Sequence, residues 1–170
     1  MTDSATQPGC LAFFFKLFQS QPGGASGSAR AVASFPYQKK DWLFSKAERS
    51  FFGVLQHVVA DRSIIFAKVR LADLVFITKG AANRQSHQNR INMKHVDFVL
   101  CDPDSVKPLL VIELDDSTHD QSKRQARDAF VDQTLAAAGL PILHVRAQQA
   151  YNAAGLEAAI RAKLMGDGQR

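Results

Sequence analysis

Residues 95–120 read HVDFVLCDPDSVKPLLVIELDDSTHD, two apolar runs joined by a turn and closed by a cluster of acids and a histidine. Side chains alternate across a strand, so in the second run Glu113 and Asp115 share one face while Ile112 and Leu114 share the other. In the first run Val96, Phe98 and Leu100 alternate against Asp97 and Val99. The connecting segment DPDSVKP, residues 102–108, carries the Asp, Pro and Ser of a hairpin, which makes the two strands antiparallel neighbours. A turn centred on Ser105 sets Asp97 opposite Glu113, so Asp97, Glu113 and Asp115 are expected to converge on one cleft. Carboxylates crowded together repel unless a cation neutralises them, which calls for a metal, an Arg or a Lys. A divalent ion, Mg²⁺ or Mn²⁺, is the sharpest candidate.

On the amino-terminal side, Ser45 and Glu48 form a capping-box pattern ahead of Phe51, Phe52, Val54, Leu55, Val58 and Val59, which predicts a helix from Lys46 to Ala60. Ile64 to Leu71 reads as a strand with Ile65, Ala67, Val69 and Leu71 on one face and Phe66, Lys68 and Arg70 on the other. Residues 78–95 are polar and read as an excursion, with Asn83 to Asn92 ordering on binding. Beyond the hairpin, a helix is expected from Ser122 to Ala138, stopped by Gly139 and Pro141. A last strand follows from Leu140 to Val145, and Leu156, Ile160 and Leu164 mark a terminal helix. The order is α, β, β, β, α, β, α. A helical crossover makes the last strand parallel to its predecessor, so the fold class is α/β, a mixed four-stranded sheet flanked by helices.

The chain has 170 residues and 46% hydrophobic content, enough for one domain with a core. Its 21 Lys and Arg against 16 Asp and Glu give a charge of +5, which suits a polyanionic partner. Cys10 and Cys101 are far apart and show neither zinc-knuckle spacing nor a disulfide framework, which points to a cytoplasmic protein. The apolar run LAFFFKLF, residues 11–18, is too short to span a membrane and lacks the basic start of a signal peptide. Residues 1–40 read as tail and linker and residues 41–166 as the domain.

Between Asp73 and Asp97 the chain holds Lys79, Arg84, Arg90 and Lys94, with His87 and His95, and no acid. Such a run is often a solvated loop. It leads directly into the strand carrying Asp97, however, where phosphate contacts by counterion release would place a nucleic acid, DNA in the first instance.

An acid on the first helix, an Asp on the second strand and Glu-x-Asp on the third resemble the PD-(D/E)XK nuclease superfamily. The blocks KHVDFVLCDP, IELDDSTH and RQARDAFVDQTLAAAGLPIL resemble, more closely, the bacterial family catalogued as Domain of Unknown Function 2726, over residues 43–147. The superfamily resemblance implies a restriction-endonuclease-like fold and a Mg²⁺-dependent endonuclease, with Glu48, Asp97 and Glu113 as its acids. It also implies a lysine at position 115, where this chain has Asp115. Relatives resembling very short patch repair endonucleases lack that lysine and place a histidine beyond the strand, as His119 stands here. The resemblance thus implies Asp97, Glu113 and Asp115 as metal ligands and His119 as proton carrier. Lys123, Arg124 or Arg127 in the next helix would replace the missing lysine's charge on the phosphate.

Each residue also has a plainer reading. The capping box alone accounts for Glu48. Asp97 and Glu113 would otherwise sit in ion pairs with Arg127 or Lys94. Asp115, Asp116, Ser117 and Asp120 fall where acids and hydroxyls cap a helix, and His119 is equally a loop residue. His57, His87, His95 and His144 show no metal-ligand spacing. The alternative functions are an inactive nucleic-acid-binding module or a protein-interaction module of the same fold.

Overall fold

The computed structural model describes residues 35–115 and 121–166, with the backbone alone for 121–128. The chain divides into two units, 1–39 and 40–170, and the architecture below is that of the second.

Its first helix, α1 (Lys46–Val59), begins at the expected capping box. Ser45 Oγ accepts from the Glu48 amide at 3.2 Å, and Glu48 Oε2 accepts from the Ser45 amide at 2.9 Å. Phe51, Leu55, Val58 and Val59 repeat at helical spacing and are buried. After a 3-10 turn at Ala60–Arg62 come β1 (Ile64–Arg70) and two helices absent from the sequence expectation, α2 (Leu71–Leu74) and α3 (Arg84–Asn92). The hairpin strands are β2 (His95–Cys101) and β3 (Pro108–Asp115); α4 (Gln121–Ala137), β4 (Ile142–Arg146) and α5 (Ala153–Gly166) complete the domain.

The four strands lie in the order β1-β2-β3-β4, with the first two pairings antiparallel and β3–β4 parallel. Phe98 stands opposite Ile112, the register that a turn centred on Ser105 requires, before a bulge at Leu100/Cys101. In that turn Asp102 Oδ1 accepts from the Ser105 amide at 2.8 Å and from its hydroxyl at 2.7 Å. Gly139, at φ +68°, ends α4, and the Leu140 amide reaches back to the Leu135 carbonyl at 3.0 Å.

Helices cover both faces of the sheet. Phe51 and Leu55 of α1 pack with Leu156 and Ile160 of α5 on one face, over Phe98, Leu100, Leu110 and Ile112. Val131 and Leu135 of α4 pack with Leu71 and Ile91 on the other, over Val96, Val99 and Val111. No helix among the described residues is long and apolar enough to cross a membrane.

Two sequence expectations are corrected. Ala67 and Phe98 face the α1/α5 core, whereas Val69 and Val96, two residues away, face the α4 core. Lys68 lies between Ala67 and Val69 at φ +55°, outside the β region, and this reverses the alternation that sequence spacing assumes. The polar segment 83–92 is helical in the free chain. Ile91 anchors it, and Gln85–Asn89 and Gln88–Asn92 amide pairs at 2.9 and 2.8 Å bridge successive turns.

Candidate active site

The reversal at Lys68 brings one ammonium to two carboxylates. Lys68 Nζ donates to Glu48 Oε1 and, at 3.0 Å, to Asp97 Oδ1. Glu48 makes two contacts: one oxygen closes the helix cap, and the other holds the lysine. The second oxygen of Asp97 accepts from the Leu114 amide of β3 at 3.0 Å, which ties β2, β3 and the lysine together. Lys68, Glu48 and Asp97 are 33%, 18% and 19% exposed, so the cluster opens to solvent through the lysine. Burial by itself lowers the Lys68 pKa, but hydrogen bonds to Glu48 and Asp97 and their charges outweigh it and raise it above the ordinary lysine value. Sequence reading gives Lys68 no role, because Glu48 and Asp97 lie 20 and 29 residues away along the chain. The signal available was a lysine among apolar residues in an expected strand.

Glu113 and Asp115 line a small pocket on the α4 side with Val131, Asp132 and His144. The parallel pairing sets Glu113 opposite His144 and Asp115 opposite Arg146. His144 sits between two acids, with Nδ1 at 3.3 Å from Asp115 Oδ1 and Nε2 at 3.0 Å from Asp132 Oδ1. Burial pushes the imidazole pKa down, yet the hydrogen bonds to Asp132 and Asp115 prevail and raise it. Sequence spacing gave His144 no role, because its partners come from separate elements, α4 and the end of β3. Asp97 is absent from the lining of this pocket, so the expected acids occupy two settings, Asp97 with Glu48 about Lys68, and Glu113 with Asp115 beside His144.

This arrangement predicts a pH dependence. A raised folded-state pKa means that the contribution of His144 is fully present below the unfolded value, near 6.5, and is lost as pH rises through the folded value. These side chains are 35–54% exposed, so screening keeps the contribution below about 1 kcal/mol. Urea unfolding at pH 6 and pH 8 is expected to show a drop in wild-type stability that His144→Gln lacks. Equal drops in both proteins would remove His144 from the account.

Of the residues expected to touch nucleic acid, Arg84 Nη1 donates to the Ile77 carbonyl at 2.8 Å and tethers the 74–78 segment to α3. Arg90 lies 3.9 Å, and Lys94 5.2 Å, from the centre of the Phe130 ring, so Lys94 is not the partner of Asp97. Lys79 is exposed. Lys123, Arg124 and Arg127 are placed on α4 by their backbone alone, and Asp116, Ser117, His119 and Asp120 lie outside the described residues. An apolar hollow between α1 and α5 is separate from these acids; its charged groups Arg62, Glu157 and Arg161 pair with one another.

The family model described as protein of unknown function (DUF2726) matches residues 40–164. The chain belongs to this family. The match spans every described element from α1 to β4 and nearly all of α5. No curated protein and no solved structure matches the chain.

Among the described residues, no three His, Cys, Asp or Glu side chains are set to hold a metal ion together. Mg²⁺ seldom needs such a cage, since one or two carboxylates with water and substrate phosphates suffice. Glu113 and Asp115, lining one pocket, have the donor chemistry for that kind of site.

Proposed function

We propose that this domain is a divalent-metal-dependent nuclease acting on DNA phosphodiester bonds, with a restriction-endonuclease-like fold of the PD-(D/E)XK superfamily. The observation that carries the reading is the Lys68 ammonium held by Glu48 and Asp97. The superfamily pattern wants a helix acid, a strand acid and a lysine, and here β1 would supply the lysine that position 115 lacks. Mg²⁺ or Mn²⁺, held by Glu113 with Asp115, would polarise the phosphodiester and lower the pKa of a bound water.

The chain's own groups have defined tasks in this reading. Lys68 spends two of its three donors on Glu48 and Asp97 and keeps one for a phosphate oxygen. His144, oriented by Asp115 and Asp132, whose hydrogen bonds raise its pKa, would carry a proton beside Glu113 and Asp115. His119 is the other proton carrier, and Lys123, Arg124 or Arg127 would add positive charge from α4. Lys79, Arg84, Arg90 and Lys94 would bind the phosphate backbone on either side of the scissile bond.

The test is cleavage of single-stranded and duplex DNA and RNA by purified protein with Mg²⁺ or Mn²⁺. Nicking or degradation of DNA is expected, falling by roughly a hundredfold or more in Asp97→Ala and Glu113→Ala with DNA binding retained. Metal should also raise the wild-type Tm, and not that of Glu113→Ala, because a ligand of the folded state stabilises it by mass action. Salt-sensitive binding without cleavage under any metal would instead identify an inactive nucleic-acid-binding module. Absence of binding at low salt would identify a protein-interaction module.

A further inference from the structure

A groove of about 690 Å³ lies between the segment 74–78, α3 and α4, and none of Glu48, Asp97, Glu113 and Asp115 lines it. Its walls are apolar, with Val75, Phe76, Ile77 and Phe130, and its polar lining among the described residues is Thr78, His87, Arg90, Gln133 and Thr134, with no Asp or Glu among them. Phe76 is 88% exposed, which leaves its apolar ring in water. The Arg90 guanidinium covers the Phe130 ring at 3.9 Å. Stacking uses the flat face of a guanidinium and leaves its in-plane N–H donors for an anion. Lys94 lies over the same ring, Lys79 follows the segment in sequence, and Arg84 pins the segment in place through the Ile77 and Thr78 carbonyls.

We propose that this groove takes an unstacked base of a single-stranded nucleic acid, with Phe76 as the stacking platform and Arg90, Lys94 and Lys79 on the flanking phosphates. Charge complementarity selects the occupant. An apolar floor alone would suit many ligands, but cationic groups with no acid among the described lining residues suit a polyanion that also carries flat apolar faces. A base inside a duplex has both faces covered, whereas a single strand can turn one outward at low cost. The volume falls within the range of small-ligand pockets, about 300–1,000 Å³, and accommodates a base with its sugar. The inference rests on the nucleic-acid half of the nuclease reading and names the form of substrate, single-stranded rather than duplex.

Binding measured in EDTA separates this inference from catalysis. Fluorescence anisotropy with a labelled 12-nucleotide single strand and the corresponding hairpin duplex is expected to show tighter binding of the single strand at equal salt. Phe76→Ala should weaken single-strand binding roughly five- to a hundredfold, as expected for loss of one base–aromatic stack, without altering the salt slope. Phe76→Trp should retain it. Arg90→Gln should lower the salt slope by about one, as for loss of one phosphate contact. With 2-aminopurine in the strand, wild type should change the probe's fluorescence and Phe76→Ala should not. Equal affinity for single strand and duplex, or single-strand binding indifferent to Phe76→Ala, overturns the groove assignment whether or not the protein cuts DNA. Phe76-dependent binding in a protein that cuts nothing upholds the groove and removes the nuclease reading alone.

Discussion

Lys68→Met is expected to lower DNA cleavage by roughly 10²- to 10³-fold, the scale of losing one charge-stabilising donor from an active site. The same change should destabilise the fold. Methionine keeps the unbranched side chain as far as Cε and meets a comparable φ penalty, so the comparison removes little besides the ammonium. Without it, two mostly buried carboxylates, Glu48 and Asp97, face each other with no cation between them. Breaking a fully buried pair costs about 3–5 kcal/mol and an exposed one under about 1, so an intermediate loss of about 2 kcal/mol is expected here. The raised Lys68 pKa gives the sign of the pH dependence. Its contribution is fully present below the unfolded lysine value, near 10.4, and is lost as pH rises through the folded value. Wild type should therefore converge on the Met variant in urea unfolding at strongly alkaline pH. Lys68→Arg separates the roles: the charge survives, but a planar fork does not reproduce the ammonium's geometry, so stability should return further than cleavage. If Lys68→Met cleaves like wild type per folded molecule, the lysine is structural only.

Phe98→Ala should bring the domain close to unfolding under ordinary conditions. Phe98 is fully buried at the centre of β2, between Ala67 and Ile112 on the neighbouring strands. Its ring lies 5.6, 5.5 and 6.1 Å from those of Phe44, Phe51 and Phe52, so truncation removes the centre of an aromatic cluster that joins α1 to the sheet. Phe→Ala in a packed core costs about 3–5 kcal/mol, against a total stability of about 5–15 for a domain of ordinary size. A fall in Tm of about 10 °C or more is expected. Because Phe98 adjoins Asp97 and packs against α1, which carries Glu48, cleavage should fall with it. Phe98→Leu, which fills most of the volume, should recover most of both. A loss under about 1 kcal/mol in Phe98→Ala would mean that the cluster does not organise this side of the sheet.

What the sequence determined by itself is what depends on neighbours along the chain. Ser45 and Glu48 are three residues apart and cap α1 with no help from the rest of the fold. Asp102 and Ser105 close the hairpin locally, and the resulting register sets Phe98 opposite Ile112. Gly139 ends α4, and the crossover it completes makes β3 and β4 parallel. These interactions span a few residues, so residue type and spacing encode them directly.

The tertiary structure decided what periodicity cannot carry. Alternation assumes β geometry at every residue, and the left-handed φ of Lys68 breaks that assumption between Ala67 and Val69, which face opposite cores, while its ammonium meets Glu48 and Asp97. His144 acquires its acids only when β4 is laid beside β3 and beneath α4. The helix at 84–92 has one buried residue, Ile91, too weak a pattern to read in advance, and its backbone becomes helical where that single anchor meets the core. In each case the deciding contact joins residues distant in sequence, and its energy exists only once the sheet has assembled.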